Sequence, residues 1–125
     1  MSGILSTTMT LQEITDKIRR FRDERDWAQF HNPKDMAMAL SIEASELMEQ
    51  FLWKNPDEVA VRCVEKREEI EDEVADVAIY LVELADILGI DLFQAMERKM
   101  EKNAAKYPAD RVRGSSLKYN EYGGA

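Results

Sequence analysis

The chain has 125 residues, a formal net charge of −8 at pH 7 and a single cysteine, enough for one domain with a hydrophobic core. Its acidic balance argues against a nucleic-acid-binding protein, which needs clustered Lys and Arg, and one cysteine excludes an intrachain disulfide. Because the longest purely apolar run, 77–82, is far shorter than the ~20 residues of a bilayer span and no signal peptide is recognisable, we expect a single cytoplasmic domain over 1–125 that contacts no membrane.

Helical periodicity runs through the chain, and no segment keeps the period-two alternation of a strand. We therefore expect an all-α protein. The chain is predicted to begin with a loose leader over 1–9 and to end with an irregular tail over 109–125. Between them we expect a helix from Thr10 toward Arg25, an aromatic-rich connector over 26–32 and a helix from Asn32 and Pro33 to about Trp53. Two more predicted helices follow, one over about 56–88 with a break near Lys66 and one that is capped by Asp91 and ends near Lys106.

These bounds rest on local start and stop signals. Thr10 stands three residues before Glu13, which is the spacing of a capping box. Asn32-Pro33 places a side-chain cap directly before a proline in the first turn, and Asn55-Pro56 repeats the signal. Gly89 is typical of the position that follows a helix.

The third predicted helix is apolar on every side over 77–82. A helix of that kind has to be buried all round, and four short helices cannot easily surround one of their own. Burial against a second copy solves the problem, so we expect a four-helix-type bundle completed by dimerisation, an obligate homodimer at least.

Two acidic pairs interrupt apolar helix faces: Glu43 with Glu46, and Glu73 with Asp76. Each pair is spaced i, i+3, so its members share one face. A carboxylate within an apolar stripe is costly unless a positive charge meets it. Carboxylate oxygens suit Mg²⁺, with Mn²⁺ as a possible substitute, so the pattern predicts a metal site built from these four residues.

Two other interpretations stay open for these acids, a solvated acidic face and a set of buried salt bridges. The first fits Glu43 and Glu73 badly, because both lie in the middle of an apolar stripe. The second lacks an obvious basic partner on either helix face. A di-iron site of the ferritin type is disfavoured, because the one histidine is not in Glu-x-x-His spacing.

Two further sets of residues are candidates for ligand binding. Lys99, Asn103 and Tyr107 are spaced i, i+4, i+8, so they either meet phosphate and sugar or form a solvent face. Trp27, Phe30, His31 and Trp53 lie at helix ends, where they either stack on a base or plug the core at loop corners. Pattern alone favours the solvent face and the core plugs.

The sequence resembles the all-α MazG-like nucleotide pyrophosphohydrolases, and within them the dCTP pyrophosphatases. The resemblance rests on Glu-Ala-Ser-Glu-Leu at 43–47 followed by Glu73-x-x-Asp76, which match the family's ExxE…ExxD signature. It extends over about 9–120 and includes RDWAQFHNPKD (25–35), FLWK (51–54), DEVADVAIYLVELAD (72–86), KMEKNAAKYP (99–108) and SSLKY (115–119).

The resemblance implies a Mg²⁺-dependent enzyme that cleaves a nucleoside triphosphate, dCTP or a modified dCTP first, to the monophosphate and pyrophosphate for nucleotide-pool sanitation. It implies metal binding by Glu43, Glu46, Glu73 and Asp76, phosphate and sugar binding by Lys99, Asn103 and Tyr107, and base binding by Trp27, His31 and Trp53. It also implies assembly as a homodimer or homotetramer. We expect Glu46 to orient or deprotonate the attacking water. A sister activity on dUTP or phosphoribosyl-ATP stays open, as does a non-enzymatic helical interaction module whose acids bind a basic partner.

Overall fold

A computed structural model of the protein describes residues 8–118 and 120–121. The chain divides into two compact units, Met1–Gly89 and Ile90–Ala125, and each is described by itself. Most of the predicted leader, Tyr119 and the end of the predicted tail lie outside the described residues. The expectation of a single domain over 1–125 stays a prediction.

The described residues form helices and no strand, so the all-α prediction is confirmed. The first unit contains α1 (Leu11–Glu24), a 3-10 turn (Ala28–Phe30), α2 (Pro33–Glu49), α3 (Pro56–Glu65) and α4 (Arg67–Ile87), and the second contains α5 (Leu92–Lys106) and α6 (Ala109–Val112).

The helices begin where the sequence predicted, because short polar side chains satisfy their first N–H groups. The hydroxyl of Thr10 accepts from the Glu13 N–H at 3.0 Å, and the Glu13 carboxylate accepts from the Thr10 N–H at 3.2 Å. Asn55 and Glu58 form the same reciprocal box at 2.9 and 3.0 Å. Asp91 accepts from the N–H of Gln94 at 3.1 Å at the start of α5.

Helix ends and one-turn elements differ more from expectation. α2 ends at Glu49 rather than near Trp53, because the next three N–H groups bond to carbonyls three residues back instead of four. The left-handed Trp53, with a φ of +63°, then ends these turns. The predicted break at Lys66 is confirmed between α3 and α4. The 3-10 turn and α6 were not predicted, since a single turn carries too little periodic pattern to recognise.

α4 is the central helix of the first unit. It packs most extensively against α2 and also against α1 and α3. Arg19 on α1 is bound to Asp86 on α4 through two hydrogen bonds, with a distance of 2.8 Å from Nε to Oδ2. This hydrogen bonding holds the pKa of Asp86 below its ordinary value of 3.8. The polar clamp and the apolar contacts together hold α4 in place.

One chain leaves much apolar surface uncovered. The buried apolar residues among those described are Ile18, Met36 and Ala85. On α4, Ile79 and Leu81 keep 41% and 40% of their surface exposed, although the sequence predicted a helix buried on every side. The described helices include no segment with the length and hydropathy of a bilayer span.

Candidate active site

Two packed helices bring the predicted acidic residues together. α2 carries Glu43 and Glu46, and α4 carries Glu73 and Asp76; we call these four residues the acidic quartet. One carboxylate oxygen from each of Glu43, Glu73 and Asp76 lies within 4.8 Å of the other two. Side chains separated by about 30 residues of sequence thus converge on one point.

Two oxygens of the acidic quartet are buried without a hydrogen-bond partner in the part of the chain that the structure describes. They are Oε2 of Glu43 and Oε2 of Glu73. An unsatisfied buried carboxylate oxygen is costly, and native proteins compensate it with a proton, a cation or a donor. These oxygens therefore point to a ligand that the polypeptide itself does not supply.

The pKa values of the same two carboxyl groups are raised above their ordinary value of 4.5. For Glu43 the first cause is burial, followed by hydrogen bonding to Glu46 and the charge of Glu46. For Glu73 burial again comes first, followed by the charges of Glu46 and Asp76. Glu46 thus interacts with both groups. Crowded carboxylates hold their protons more tightly than isolated ones, and a divalent cation competes with those protons.

All ligand atoms offered by the acidic quartet are carboxylate oxygens. This donor set suits hard divalent cations. Its partnerless oxygens, its convergence and its raised pKa values all fit such an ion. The acidic quartet is therefore a candidate divalent-metal site.

The structure brings Trp27 and His31 together beside the start of α2. Their ring centroids are 6.2 Å apart with the rings tilted by 44°, and Phe21 meets Trp27 edge-on at 5.9 Å. Trp27 keeps 43% of its surface exposed. The pair forms an aromatic corner that is open on one side, as a base-stacking site requires.

Trp53 lies in the turns that follow α2 and is 93% exposed. Its φ of +63° costs a bulky residue on the order of 1–2 kcal/mol. Strained, exposed aromatic residues of this kind are typical of functional or interface positions. Trp53 does not plug the core of this chain, contrary to the interpretation that pattern alone favoured.

The two aromatic positions lie beyond opposite ends of α2, whose 17 residues span about 25 Å at 1.5 Å per residue. Trp27 and His31 lie before this helix and Trp53 lies after it. The prediction that Trp27, His31 and Trp53 line one pocket stays a prediction.

Sequence reasoning missed two residues on the same face of α4. Tyr80 and Glu83 follow Asp76 at i+4 and i+7, so they continue the acidic stripe along the helix. The pKa of Tyr80 is raised, mainly by burial and to a smaller extent by the charges of Glu43 and Asp76. Glu83 interrupts an apolar run as Glu73 does, and that signal was available in the sequence.

In the second unit, Lys99 and Asn103 are exposed and one turn apart on α5. Tyr107 follows the helix, and its N–H donates to the carbonyl of Asn103 at 2.8 Å. Lys99 and Asn103 thus share one helix face, as predicted from their spacing. Their role in binding phosphate and sugar stays a prediction.

An open groove of about 350 Å³ lies at the start of α3 and is separate from the acidic quartet. Its lining mixes Lys54 and Arg62 with three carboxylates. Arg62 donates to the side chain of Gln50 at 2.8 Å, which ties α3 to the end of α2. The mixed charge gives this groove no preference for an anion or a cation.

Three comparisons place the chain among known proteins. The MazG-like family matches residues 38–122, which contain the acidic quartet. The dCTP pyrophosphatase 1 of Bos taurus is 40% identical over 118 residues, 93% of this chain and 70% of that protein. The dCTP pyrophosphatase 1 of Homo sapiens is 42% identical over 114 residues, 90% of this chain and 67% of that protein.

A solved structure shares the fold. It is a pyrophosphatase from Archaeoglobus fulgidus that is 42% identical in sequence and superposes with a TM-score of 0.77. The match covers 85% of this chain and 99% of that one. The helical arrangement is thus that of a pyrophosphatase over nearly the whole of the matched protein.

Proposed function

The chain belongs to the MazG-like family and is a nucleoside triphosphate pyrophosphohydrolase, and from this premise we propose that it cleaves dCTP, or a modified dCTP. The products are the monophosphate and pyrophosphate, and the biological task is nucleotide-pool sanitation. The shared name of the two mammalian relatives supports cytosine as the base. The convergence of partnerless carboxylates in the acidic quartet is the observation that carries the proposal.

The acidic quartet holds Mg²⁺ in this proposal, with Mn²⁺ as a substitute. When bound, the ion supplies charge neutralisation on the triphosphate and lowers the pKa of a bound water. Glu43, Glu73 and Asp76 provide the converging oxygens. Because the described residues offer no other group of three or more converging ligands, the family's divalent-metal requirement falls on these side chains.

Glu46 has a different role from the other three acids. It interacts with Glu43 and Glu73, yet it stands outside the trio whose oxygens converge. A carboxylate in a metal site that is not fully used as a ligand is suited to orient or deprotonate a water. We assign Glu46 that task, and we assign phosphate and sugar contacts to Lys99, Asn103 and Tyr107.

The base is held by Trp27 and His31, whose rings form the open aromatic corner. Trp53 of the same chain lies beyond the other end of α2, a helix about 25 Å long. We propose that a second copy supplies Trp53 to this pocket. The site is then incomplete in a monomer, and assembly becomes part of the function.

A homodimer, alone or paired into a tetramer, also covers the apolar surface of α4. Val74, Ala78 and Leu81 are spaced i, i+4, i+7 and are all exposed in one chain. No described large side chain is fully buried, which is a poor core for a domain of this length. An isologous contact along α4 buries the stripe on both copies at once.

Leu81→Glu is expected to disrupt assembly, because it places a charge in the centre of that contact. Light scattering should give the wild type a mass of at least twice the 14.4 kDa of one chain. The variant should be monomeric or unfolded, whereas Val64→Glu, which changes a valine 78% exposed on α3, should keep the wild-type mass. A wild type that is monomeric would refute the dimer.

Hydrolysis rates across a panel of deoxynucleoside triphosphates test the substrate. We expect kcat/KM for dCTP to exceed that for dUTP and dTTP by about tenfold or more, as hydrogen-bonded recognition of the base allows. A panel led by dUTP would favour the sister activity and require a new assignment of the base pocket. Failure to hydrolyse any of them in Mg²⁺ would favour the helical interaction module.

A further inference from the structure

Glu83 is the one buried charged residue in the described part of the chain, with 5% of its surface exposed. Its carboxylate Oε2 is paired with Nδ1 of His31, whose side chain is 15% exposed. The pair links the connector before α2 to the central helix α4. Burying a carboxylate is costly, and the mechanism proposed above does not use Glu83.

A structural link between these segments needs no buried charge. Buried ion pairs are often no more stabilising than apolar residues of similar volume, and Arg19 already clamps α1, the helix that precedes this connector, to α4 through Asp86, one turn further along. The pKa of Arg22 is raised first by its hydrogen bond to Asp23 and to a smaller extent by the charge of Glu83. Glu83 is thus paired with His31 and also interacts with the positive charge of Arg22 on α1.

The pairing fixes the chemistry of the imidazole ring. A carboxylate only accepts hydrogen bonds, so Nδ1 of His31 must carry the proton that it donates to Glu83. In the neutral ring the other nitrogen, Nε2, then carries a lone pair and is an acceptor. Glu83 therefore selects one tautomer and one orientation of a ring that lies against Trp27.

The distance between Glu83 and the acidic quartet along α4 suits a nucleotide that is bound at both its phosphate end and its base end. Glu83 follows Asp76 by seven residues, which is two turns and about 10 Å along the same helix face. Tyr80 lies between them. A triphosphate held at the acidic quartet would thus have its base near the Glu83–His31 pair.

We propose that Glu83 is a positioning residue for base selection, which holds His31 so that Nε2 accepts a hydrogen bond from the 4-amino group of cytosine. The inference rests on the proposed function in one respect, that His31 contacts the base. Uracil carries a carbonyl oxygen in place of the 4-amino group. This oxygen and Nε2 of His31 are both hydrogen-bond acceptors, so no hydrogen bond forms between them. The arrangement therefore discriminates against dUTP and dTTP.

Glu83→Met tests the role, because it keeps the size of the side chain and removes the acceptor. We expect KM for dCTP to rise about tenfold, in line with the loss of an orienting hydrogen bond, with kcat and the Mg²⁺ dependence little changed. The ratio of kcat/KM for dCTP over dUTP should fall by a similar factor. Glu83→Gln retains an acceptor oxygen and should largely rescue both quantities.

His31→Ala separates this inference from the proposed function. We expect it to raise KM as Glu83→Met does, and the double variant to be no worse than His31→Ala alone. An unchanged KM in His31→Ala would remove His31 from the base pocket and leave the acidic quartet untouched. A raised KM in His31→Ala with wild-type selectivity in Glu83→Met would refute Glu83 alone. If Glu83→Met does not fold, Glu83→Asp, which withdraws the carboxylate from Nδ1, carries the same comparison.

Discussion

Glu73→Gln is expected to lower kcat at least about 100-fold while leaving the far-UV circular dichroism helical. Glutamine keeps the shape of the side chain but removes the negative charge from one of three converging ligands. Metal ions supply several kcal/mol of transition-state stabilisation in such sites, and each ~1.4 kcal/mol is tenfold in rate. Glu43→Gln should behave in the same way, because its oxygen occupies the equivalent position on α2.

Steady-state kinetics with a Mg²⁺ titration measure this effect, and the Mg²⁺ concentration for half-maximal rate should rise in both variants. Glu68→Gln is the matched control, since it makes the same change on an exposed residue in the first turn of α4. It should retain wild-type kinetics. Full activity in Glu73→Gln would remove Glu73 from the site.

Without metal, the folded protein is expected to lose stability as pH rises. The pKa values of Glu43 and Glu73 are raised in the folded state above their ordinary value of 4.5. At pH values between 4.5 and these raised pKa values, the folded chain binds more protons than the unfolded chain. The stability that Glu43 and Glu73 contribute is therefore fully present below pH 4.5, and it is lost as pH rises through their raised pKa values. Asp86 behaves oppositely, because its lowered pKa gives stability that is lost only as pH falls below 3.8.

Thermal unfolding between about pH 5 and pH 8, in EDTA and in Mg²⁺, measures this dependence. Mg²⁺ should raise the Tm most at the upper end of this pH range, because the carboxylates are then ionised and the cation does not have to displace protons from them. In EDTA the double variant Glu43→Gln with Glu73→Gln should have a higher Tm than the wild type at the upper end and a flatter dependence on pH. Equal slopes in the two proteins would show that repulsion in the acidic quartet is not the cause.

The sequence predicted those features that neighbouring residues determine. The capping side chains of Thr10, Asn55 and Asp91 predict helix starts, because they accept hydrogen bonds from backbone N–H groups two or three residues away. The acidic quartet was found for a related reason. A carboxylate in an apolar stripe conflicts with its local pattern, and such conflicts mark functional sites.

Other features could not be predicted from the local sequence. α2 ends in turns with hydrogen bonds three residues back, followed by the left-handed Trp53, and the sequence over 49–53 contains no glycine or proline that marks this end. The pairing of His31 with Glu83 joins residues 52 apart, so neither residue alone reveals it. Glu83 could have been singled out as an interruption of an apolar run, but its partner could not.

The measurement that tests the account most directly is the identity of the phosphorus products formed from dCTP, in Mg²⁺ and in EDTA. We predict dCMP and pyrophosphate in equal amounts in Mg²⁺, and no product in EDTA. Release of inorganic phosphate with dCDP, or equal rates with and without the chelator, would contradict a metal-dependent pyrophosphohydrolase built on the acidic quartet.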